Sequence, residues 1–428
     1  MCPSITKTKA PAIIGMMRNK FQDLADFDID DKMWRQICLP IKSHGFGLGD
    51  PMNTITAAFV AHVEETLTAT KSILKTPSYL DLLDINAATP SHHTFNSDDI
   101  ENWVMHYRSS KKSILEKCES LGEIFDDEKA AVSVTKKKSQ HFYFTLLTRA
   151  SVKEFEEDIV LHGTLHDKAR TLSNDGSLAG AWLHNIPKKD ELHMNNHDFR
   201  VAVQLRLGKP FRDRPTRCKC TKKPSIDAHC DHIMCCKLFN EDIKARHDAL
   251  CKNFQSLTNH AGLTFIRPKL GELRTPHHDD SLAADGCVKG LFDKATHIDV
   301  TIANPTGQTY LRMGAHSQRH LAIKTREKYK EDKYKNRCQQ IDRKFMPLAF
   351  EIYGSCSEKV DSLIKSLVHR AASLNNIPYS VLLSYWRRRI ATTLQVYNAR
   401  IINQACVTLN DYGGGNKFRD FGTDRVGY

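Results

Sequence analysis

Apolar residues in the first half of the chain recur at the spacing of amphipathic helices. Phe59, Val63 and Leu67 fall four residues apart, which predicts one buried helical face. Further helices are expected after Ser97 and over residues 109–121, 152–162 and 197–207. Charged residues occupy the opposite faces of these segments. The pattern therefore predicts a mostly helical domain over residues 51–210.

The apolar pattern changes after residue 240 and predicts strands among the helices. Residues 297–303 alternate strictly between apolar and polar side chains, as a strand does, and Asn-Pro-Thr-Gly at 304–307 is a strong turn signal. The predicted helices are 241–257, 317–341, 357–374 and 379–407, and the predicted strands are 263–268, 282–288, 297–303 and 345–352. The order is thus helix, three strands, helix and strand, which is the order of a small α/β nuclease core.

Length and charge narrow the class of protein. A chain of 428 residues is long enough for about three domains. Lys and Arg number 62 against 50 Asp and Glu, and the net charge of +12 favours nucleic acid or an anionic membrane surface as a partner. Mean hydropathy is −0.46 and no apolar run approaches the ~18 residues of a membrane span, so no membrane protein is expected. The N-terminal residues show no signal-peptide pattern, and we expect an intracellular protein.

The cysteines are clustered, and their spacing predicts a metal site. Five of the 13 cysteines fall between residues 218 and 236, and an odd number without a secretory signal does not favour disulfides. Zinc takes four tetrahedral Cys and His ligands, usually as two close pairs. The predicted ligands are Cys218, Cys220, His232 and Cys236, with His229, Cys230 and Cys235 as possible substitutes. The Cys-x-Cys pair is tighter than the usual spacing, and the alternative is a loop of unliganded thiols.

Basic residues surround this cysteine cluster. They are Arg212, Arg214, Arg217, Lys219, Lys222 and Lys223. In a zinc knuckle that faces phosphate groups, such charges contribute affinity by releasing counterions from the nucleic acid. The alternative is an ordinary solvated basic loop.

An acidic residue interrupts the apolar strand at 297–303. Asp299 and Thr301 face away from the β-branched apolar residues of that strand, and a carboxylate there is costly unless it binds a cation or a hydrogen-bond network. A hairpin could bring Asp285 to Asp299, and two carboxylates that share Mg²⁺ can support phosphodiester hydrolysis. The following helix offers cations for the reacting phosphate, namely Lys324, Lys328, Lys330 and Lys333. The alternative is a surface hairpin beside a solvated charged helix.

A series of motifs occurs in one particular order over most of the chain. The motifs are LPIKSHGFGLGD (39–50), AWLHNIP (181–187), FRVAVQLRLGKPF (199–211), the Cys-His cluster with its Asp231-His232 pair, Arg-His-Asp (246–248), Ala-Asp-Gly (284–286), Asp-Val-Thr-Ile (299–302), Lys330-x-x-Lys333-Tyr334, PLAFEIYG (347–354) and YWRRRIATTLQVYNARI (385–401). Together they resemble the C-terminal part of the reverse transcriptase proteins of site-specific non-LTR retrotransposons. Those proteins carry a CCHC zinc knuckle and a restriction-endonuclease-like domain.

The resemblance implies a multidomain α+β or α/β protein. A remnant of a polymerase thumb-like region is expected at 1–50, a mostly helical linker domain at 51–210 and the zinc knuckle at 211–240. Residues 241–428 are expected to form a restriction-endonuclease-like core of the order αβββαβ, followed by C-terminal helices.

The resemblance also implies a PD-(D/E)xK-type endonuclease that nicks target DNA. Asp285 and Asp299 would be the ligands of Mg²⁺ or Mn²⁺, and the knuckle would hold Zn²⁺. The catalytic lysine would come from the following helix, with Lys330 the first choice and Lys333 the second, and His247 would be an accessory residue. Target DNA and element RNA are the expected partners, and the nucleus is the expected location.

Three departures from the family pattern qualify these expectations. Ala284 replaces the motif proline, and Thr301 stands where most PD-(D/E)xK enzymes have a lysine, so catalysis depends on the helix lysine. Asp-Ile-Asp-Asp at 28–31 lacks the aromatic residue of a polymerase signature, so we expect a chain that begins after the palm and does not polymerise. The alternative function is that of a catalytically inactive, nucleic-acid-binding remnant.

Overall fold

The protein is an α+β molecule in which helices predominate, as the sequence predicts. The computed structural model describes residues 3–74, 98–122, 125–136, 138–185, 190–212, 216–222, 224–273 and 283–409. The chain divides into two compact units, Met1–Leu161 and His162–Tyr428. The division falls inside the predicted helical domain 51–210, and the four-part domain scheme stays a prediction. Among the described residues, no helix is both long and apolar enough to cross a bilayer.

Helices alone form the described part of the first unit. They are α1 Pro3–Ala25, α2 Asp31–Cys38, α3 Pro51–Leu74, α4 Asp98–Ser120, α5 Asp127–Thr135 and α6 Ser139–His162. Helix α4 takes the place of the two separate helices expected after Ser97 and over 109–121, because no Gly or Pro interrupts the sequence between them. Ser97 itself, and the side chain of Leu67, lie outside the described residues.

A buried carboxylate ties three helices of the first unit together. Glu64 of α3 accepts hydrogen bonds from the Tyr107 hydroxyl of α4 at 3.0 Å and from the Tyr143 hydroxyl of α6. Lys111 of α4 adds an ion pair at 2.6 Å. Burial, reinforced by the Glu64 charge, raises the pKa of both tyrosines, so they remain hydrogen-bond donors. Around this network the apolar side chains of α3, α4 and α6 form the core.

The second unit contains the only sheet of more than two strands within the described residues. Its elements are α7 Leu165–Ser173, α8 Asn196–Leu207, β1 Thr216–Arg217, β2 Ser225–Ile226, α9 Asn240–His260, β3 Thr264–Ile266, β4 Gly286–Lys289, β5 Thr296–Ala303, α10 Gln308–Arg312, α11 Leu321–Gln340, β6 Lys344–Glu351, α12 Glu358–Asn375 and α13 Tyr379–Thr408. Apart from the short α10, the helices and strands after residue 240 follow the predicted order. Gly208 ends α8 with a left-handed φ of +72°.

The sheet has the order β3-β4-β5-β6 and is mixed. The first three strands pair antiparallel, and β5 pairs parallel with β6, which it reaches through the α11 crossover. Parallel pairing needs such a crossover, which is why the chain places a long helix between these two strands. Strand β5 is therefore central and lies between β4 and β6.

Helices cover both faces of this sheet. Ile298 and Val300 of β5 share the main core with Phe254 of α9, Leu367 of α12 and Trp386 of α13. The predicted alternation places Asp299 on the opposite face, where α11 packs. Because both faces are covered, nearly all of β5 is buried, and its one carboxylate has no free access to bulk water.

Candidate functional site

A short hairpin positions the first pair of predicted zinc ligands. Strands β1 and β2 pair antiparallel, and Cys218 and Cys220 follow β1 directly. The Cys218 backbone N–H donates to the Pro224 carbonyl at 2.9 Å, which closes the loop. The second pair lies at the two ends of a 3₁₀ turn, with His232 before Ile233–Cys235 and Cys236 after it. The hairpin and the turn thus present two ligands each.

The four predicted ligands meet at one point. Their donor atoms all lie within 4.8 Å of one another, with 3.7 Å between the sulfurs of Cys218 and Cys236 and 3.6 Å between Cys220 Sγ and His232 Nε2. Tetrahedral zinc, with Zn–S near 2.3 Å and Zn–N near 2.0 Å, places its ligands about 3.3–3.8 Å apart. The donor chemistry and the spacing therefore fit a metal such as zinc.

The possible substitute ligands are engaged elsewhere. His229 stacks on His166 with ring centroids 3.8 Å apart, and Cys230 is buried in the apolar core around the knuckle. Cys235 is exposed, and its thiol donates to the His232 carbonyl at 3.5 Å. Within the tight Cys-x-Cys pair, the Cys220 backbone N–H donates to Cys218 Sγ at 3.5 Å.

Three of the predicted basic residues lie on the surface beside the ligand cluster, and Arg212 is half-buried. Arg217, Lys219 and Lys222 are exposed. Lys219 also donates to the Thr408 carbonyl at the end of α13 at 3.0 Å. Arg214 and Lys223 lie outside the described residues. The charged groups of Arg217, Lys219 and Lys222 thus face solvent. Both interpretations, a phosphate-binding surface and an ordinary solvated loop, require this exposure.

A buried aspartate joins the knuckle to the turn after β5. Asp231, the residue before His232, accepts hydrogen bonds from Asn304 Nδ2 at 3.0 Å and from the Thr306 hydroxyl. Burial acts to raise the pKa of Asp231, but bonds from His166, Thr306 and Asn304 lower it below its usual value. Sequence reasoning identifies both the Asp231-His232 pair and the turn at 304–307, but not the contact between them.

Strand register brings the two predicted carboxylates together. Gly286 of β4 pairs with Ile298 of β5, and Asp285 precedes Gly286 by one residue. The Asp285 backbone N–H donates to the Ile298 carbonyl at 3.1 Å, and its Oδ2 accepts from the Val300 N–H at 2.7 Å. Asp285 therefore bonds the residues on both sides of Asp299. The hairpin expected from the sequence is present.

Asp299 is buried, and only 3% of its side chain is exposed. Burial and the nearby Asp285 charge raise the pKa of its carboxyl, whereas Lys330 and Tyr334 of α11 act to lower it. The Lys330 ammonium lies 2.5 Å from Asp299 Oδ1. The Tyr334 hydroxyl also donates to the Ala283 carbonyl at 3.3 Å, which fixes α11 beside the strand pair.

The structure distinguishes among the predicted lysines of α11. Lys330 reaches Asp299, whereas Lys333 is exposed and its Nζ lies 5.2 Å from the centroid of the Tyr334 ring. Lys324 and Lys328 are also exposed. Thr301, at the position of the usual motif lysine, is buried on the same face of β5 as Asp299.

His247 of α9 completes this group of side chains. Its Nε2 lies 2.9 Å from Asp285 Oδ2, and its Nδ1 lies 3.1 Å from Asp248 Oδ1. Burial is the largest single influence and acts to lower the pKa of His247, but the hydrogen bonds and charges of Asp285 and Cys251 together raise the pKa to about 11. Cys251, one helical turn further on, places its sulfur 3.9 Å from both ring nitrogens. The sequence analysis does not predict Cys251 as a site residue. Its position four residues after His247, on the same face of a predicted helix, could have indicated it.

Comparisons with known proteins add no family assignment. No protein-family model matches the chain, and no curated protein matches it significantly.

Proposed function

We propose that this protein is a retrotransposon-derived, metal-dependent DNA endonuclease of the PD-(D/E)xK type that nicks its target. The observation that supports the proposal is the convergence of Asp285, which directly precedes β4, with Asp299 of β5 and Lys330 of α11. Enzymes that hydrolyse phosphodiesters use two carboxylates and a lysine in this way. A buried charged group of this kind is not needed for the stability of a strand.

Each of the three side chains has a role in this proposal. Asp285 and Asp299 would hold Mg²⁺ or Mn²⁺, which supplies positive charge to the scissile phosphate and lowers the pKa of an attacking water. Their donor atoms are carboxylate oxygens, which suit these hard cations. Lys330 balances the Asp299 charge and would donate to a phosphate oxygen as negative charge develops there. Tyr334 would hold the Asp299 carboxyl in place.

The knuckle would bind the nucleic acid. Exposed Arg217, Lys219 and Lys222 beside the zinc ligands, with a net charge of +12, favour contacts to phosphates. Together with the sequence resemblance, these charges extend the proposal to target DNA and element RNA as partners and to a nuclear location. Polymerase activity is not part of the proposal.

A second candidate function is nucleic-acid binding without cleavage. Two observations favour it: Thr301 replaces the usual lysine, and Lys330 occupies Asp299 Oδ1, an atom that a metal ion would need. In that case salt-sensitive DNA or RNA binding persists in the carboxylate variants and is lost with the knuckle.

Conversion of supercoiled plasmid to open circles tests the proposal. Protein that retains its knuckle zinc should nick when Mg²⁺ or Mn²⁺ is added and not in their absence. Asp299→Asn should lower the rate at least about 100-fold, because one ligand charge is lost. Asp293→Asn is the matched control, since Asp293 is an exposed aspartate whose ion pair with Lys344 lies outside the proposed site. Well-folded wild type that binds DNA but never nicks it would support the second candidate instead.

A further inference from the structure

We propose that His247, Cys251 and Asp285 form a second metal site, which takes a divalent transition ion of the zinc and cobalt class. One donor atom from each residue lies within 4.8 Å of the others. This inference goes beyond the nuclease proposal and does not depend on it, because it concerns ion binding in the absence of nucleic acid.

Backbone structure fixes the positions of these three donors. His247 and Cys251 are four residues apart on α9, so they lie one above the other on the same face of the helix. Asp285 is held from the other side, because its Oδ2 accepts the Val300 N–H at 2.7 Å. A site that rests on a helix and a strand pair needs only side-chain rotation to close around an ion.

The chemistry of the donors selects the kind of ion. One imidazole nitrogen, one sulfur and one carboxylate oxygen match the ligands of zinc, whereas Mg²⁺ strongly prefers oxygen. Three protein ligands leave a fourth tetrahedral position for water or a substrate. On binding, the ion would replace the proton between His247 and Asp285 and the thiol proton of Cys251, and both protons would pass to solvent.

An ion could reach the site from solvent. The side chains of His247 and Asp285 are 27% and 23% exposed, whereas Cys251 is buried behind them. In this arrangement His247 and Asp285 would bind the ion first, and the buried sulfur of Cys251 would then complete the coordination. Asp285 belongs to both metal sites, so, if the nuclease proposal holds, a soft ion bound here would compete with Mg²⁺ for that carboxylate and slow nicking.

Cobalt titration of DNA-free protein tests the inference. Co²⁺ bound to a thiolate gives a charge-transfer absorption band that cobalt with only nitrogen and oxygen ligands lacks. Protein that holds one zinc in its knuckle should take up one equivalent of Co²⁺ with this band, without release of the zinc. Cys251→Ser should lose the band, and Cys118→Ser, which changes another buried cysteine far along the chain, should keep it.

A second variant covers the case in which Cys251→Ser does not fold. His247→Asn should keep the knuckle zinc and bind Co²⁺ at least about tenfold more weakly. A wild-type titration without a thiolate band, or a band of full intensity in both variants, would overturn the proposal. Because no DNA is present, this result is independent of whether the protein nicks plasmid.

Discussion

Asp299 illustrates what a charged residue requires in a buried strand. An ion pair in such a place seldom stabilises a protein more than a well-packed apolar pair would. Even so, the strand keeps a carboxylate with 3% of its side chain exposed and supplies Lys330, Tyr334 and Asp285 around it. This costly arrangement is the basis of the nuclease proposal.

Glu351, at the end of β6, makes a prediction about pH. Burial raises the pKa of its carboxyl to about 7, although Ser173, the Ile323 N–H and Arg319 act in the opposite direction. The folded state then binds a proton more tightly than the unfolded state, whose pKa is near 4.5. The free energy of unfolding should consequently fall by on the order of 3 kcal/mol as pH rises from about 4.5 to about 7. Above that pH it should level off.

Glu351→Gln should remove this pH dependence. At pH 8 the variant should be about 1–3 kcal/mol more stable than wild type, and at pH 4.5 the two should be similar. Urea unfolding at both pH values measures the difference, and Glu358→Gln, an exposed change on α12, is the control. Equal pH profiles for wild type and Glu351→Gln would contradict this assignment.

At the residue scale, the sequence predicts side chains that local patterns define. Alternation in β5 singles out Asp299, and ligand spacing predicts that Cys218, Cys220, His232 and Cys236 lie together, as they do in the structure. Residue spacing does not show whether Lys330 or Lys333 contacts Asp299, because that depends on how α11 is rotated against the sheet. Cys251 is not predicted, since its relation to Asp285 arises only from packing.

At the scale of elements, the segment that carries the four candidate zinc ligands packs into the core of the second unit. Cys218 and Cys236 lie in one apolar cluster with Tyr353 and Ile402, and Asp231 bonds the turn that follows β5. Loss of metal should therefore loosen more than the knuckle loop.

Two adjacent cysteines allow a matched test of the zinc ligands. Cys236→Ser should lose one zinc per chain by metal analysis and lower the thermal midpoint of the second unit by at least about 5 °C. Cys235→Ser changes an exposed thiol outside the cluster and should keep both the zinc and the midpoint. Equal loss of zinc from the two variants would show that the ligand set is wrong.

The Glu64 network makes a separate prediction for the helices of the first unit. Lys111→Met removes the cation paired with a largely buried carboxylate and should cost about 2–3 kcal/mol. For a unit of this size the thermal midpoint should fall by roughly 5–10 °C in scanning calorimetry. Lys112→Met, on the exposed face of the same helix, should change it by less than about 2 °C. Similar effects of the two changes would contradict a structural role for the network.

The sequence predicts the boundaries of helices and strands more accurately after residue 240 than in the first unit. The strands and helices after residue 240 follow their predicted order because the alternation in β5 and the turn residues at 304–307 mark where elements end. The helices of the first unit were predicted less accurately. Two expected helices form the single α4, since polar residues between apolar segments do not by themselves break a helix.

At the scale of the whole molecule, the sequence predicts the α+β class but not the division into units. The periodicity of apolar residues changes near residue 240, whereas the compact units separate at Leu161 and His162. The difference arises because α8 and the 3₁₀ turn Ala181–His184 pack against α13, more than 180 residues later in the chain. Contacts of such sequence separation leave no periodic signal.

The central proposal is that Asp285, Asp299 and Lys330 form one catalytic site. The most direct measurement compares the initial rates of Mg²⁺-dependent plasmid nicking by wild type, Lys330→Met and Lys333→Met, all with the knuckle zinc present. We expect Lys330→Met to be at least about 100-fold slower, and Lys333→Met to remain within about threefold of wild type. Nicking by Lys330→Met at the wild-type rate would contradict this proposal. A lack of nicking by all three proteins would contradict it as well.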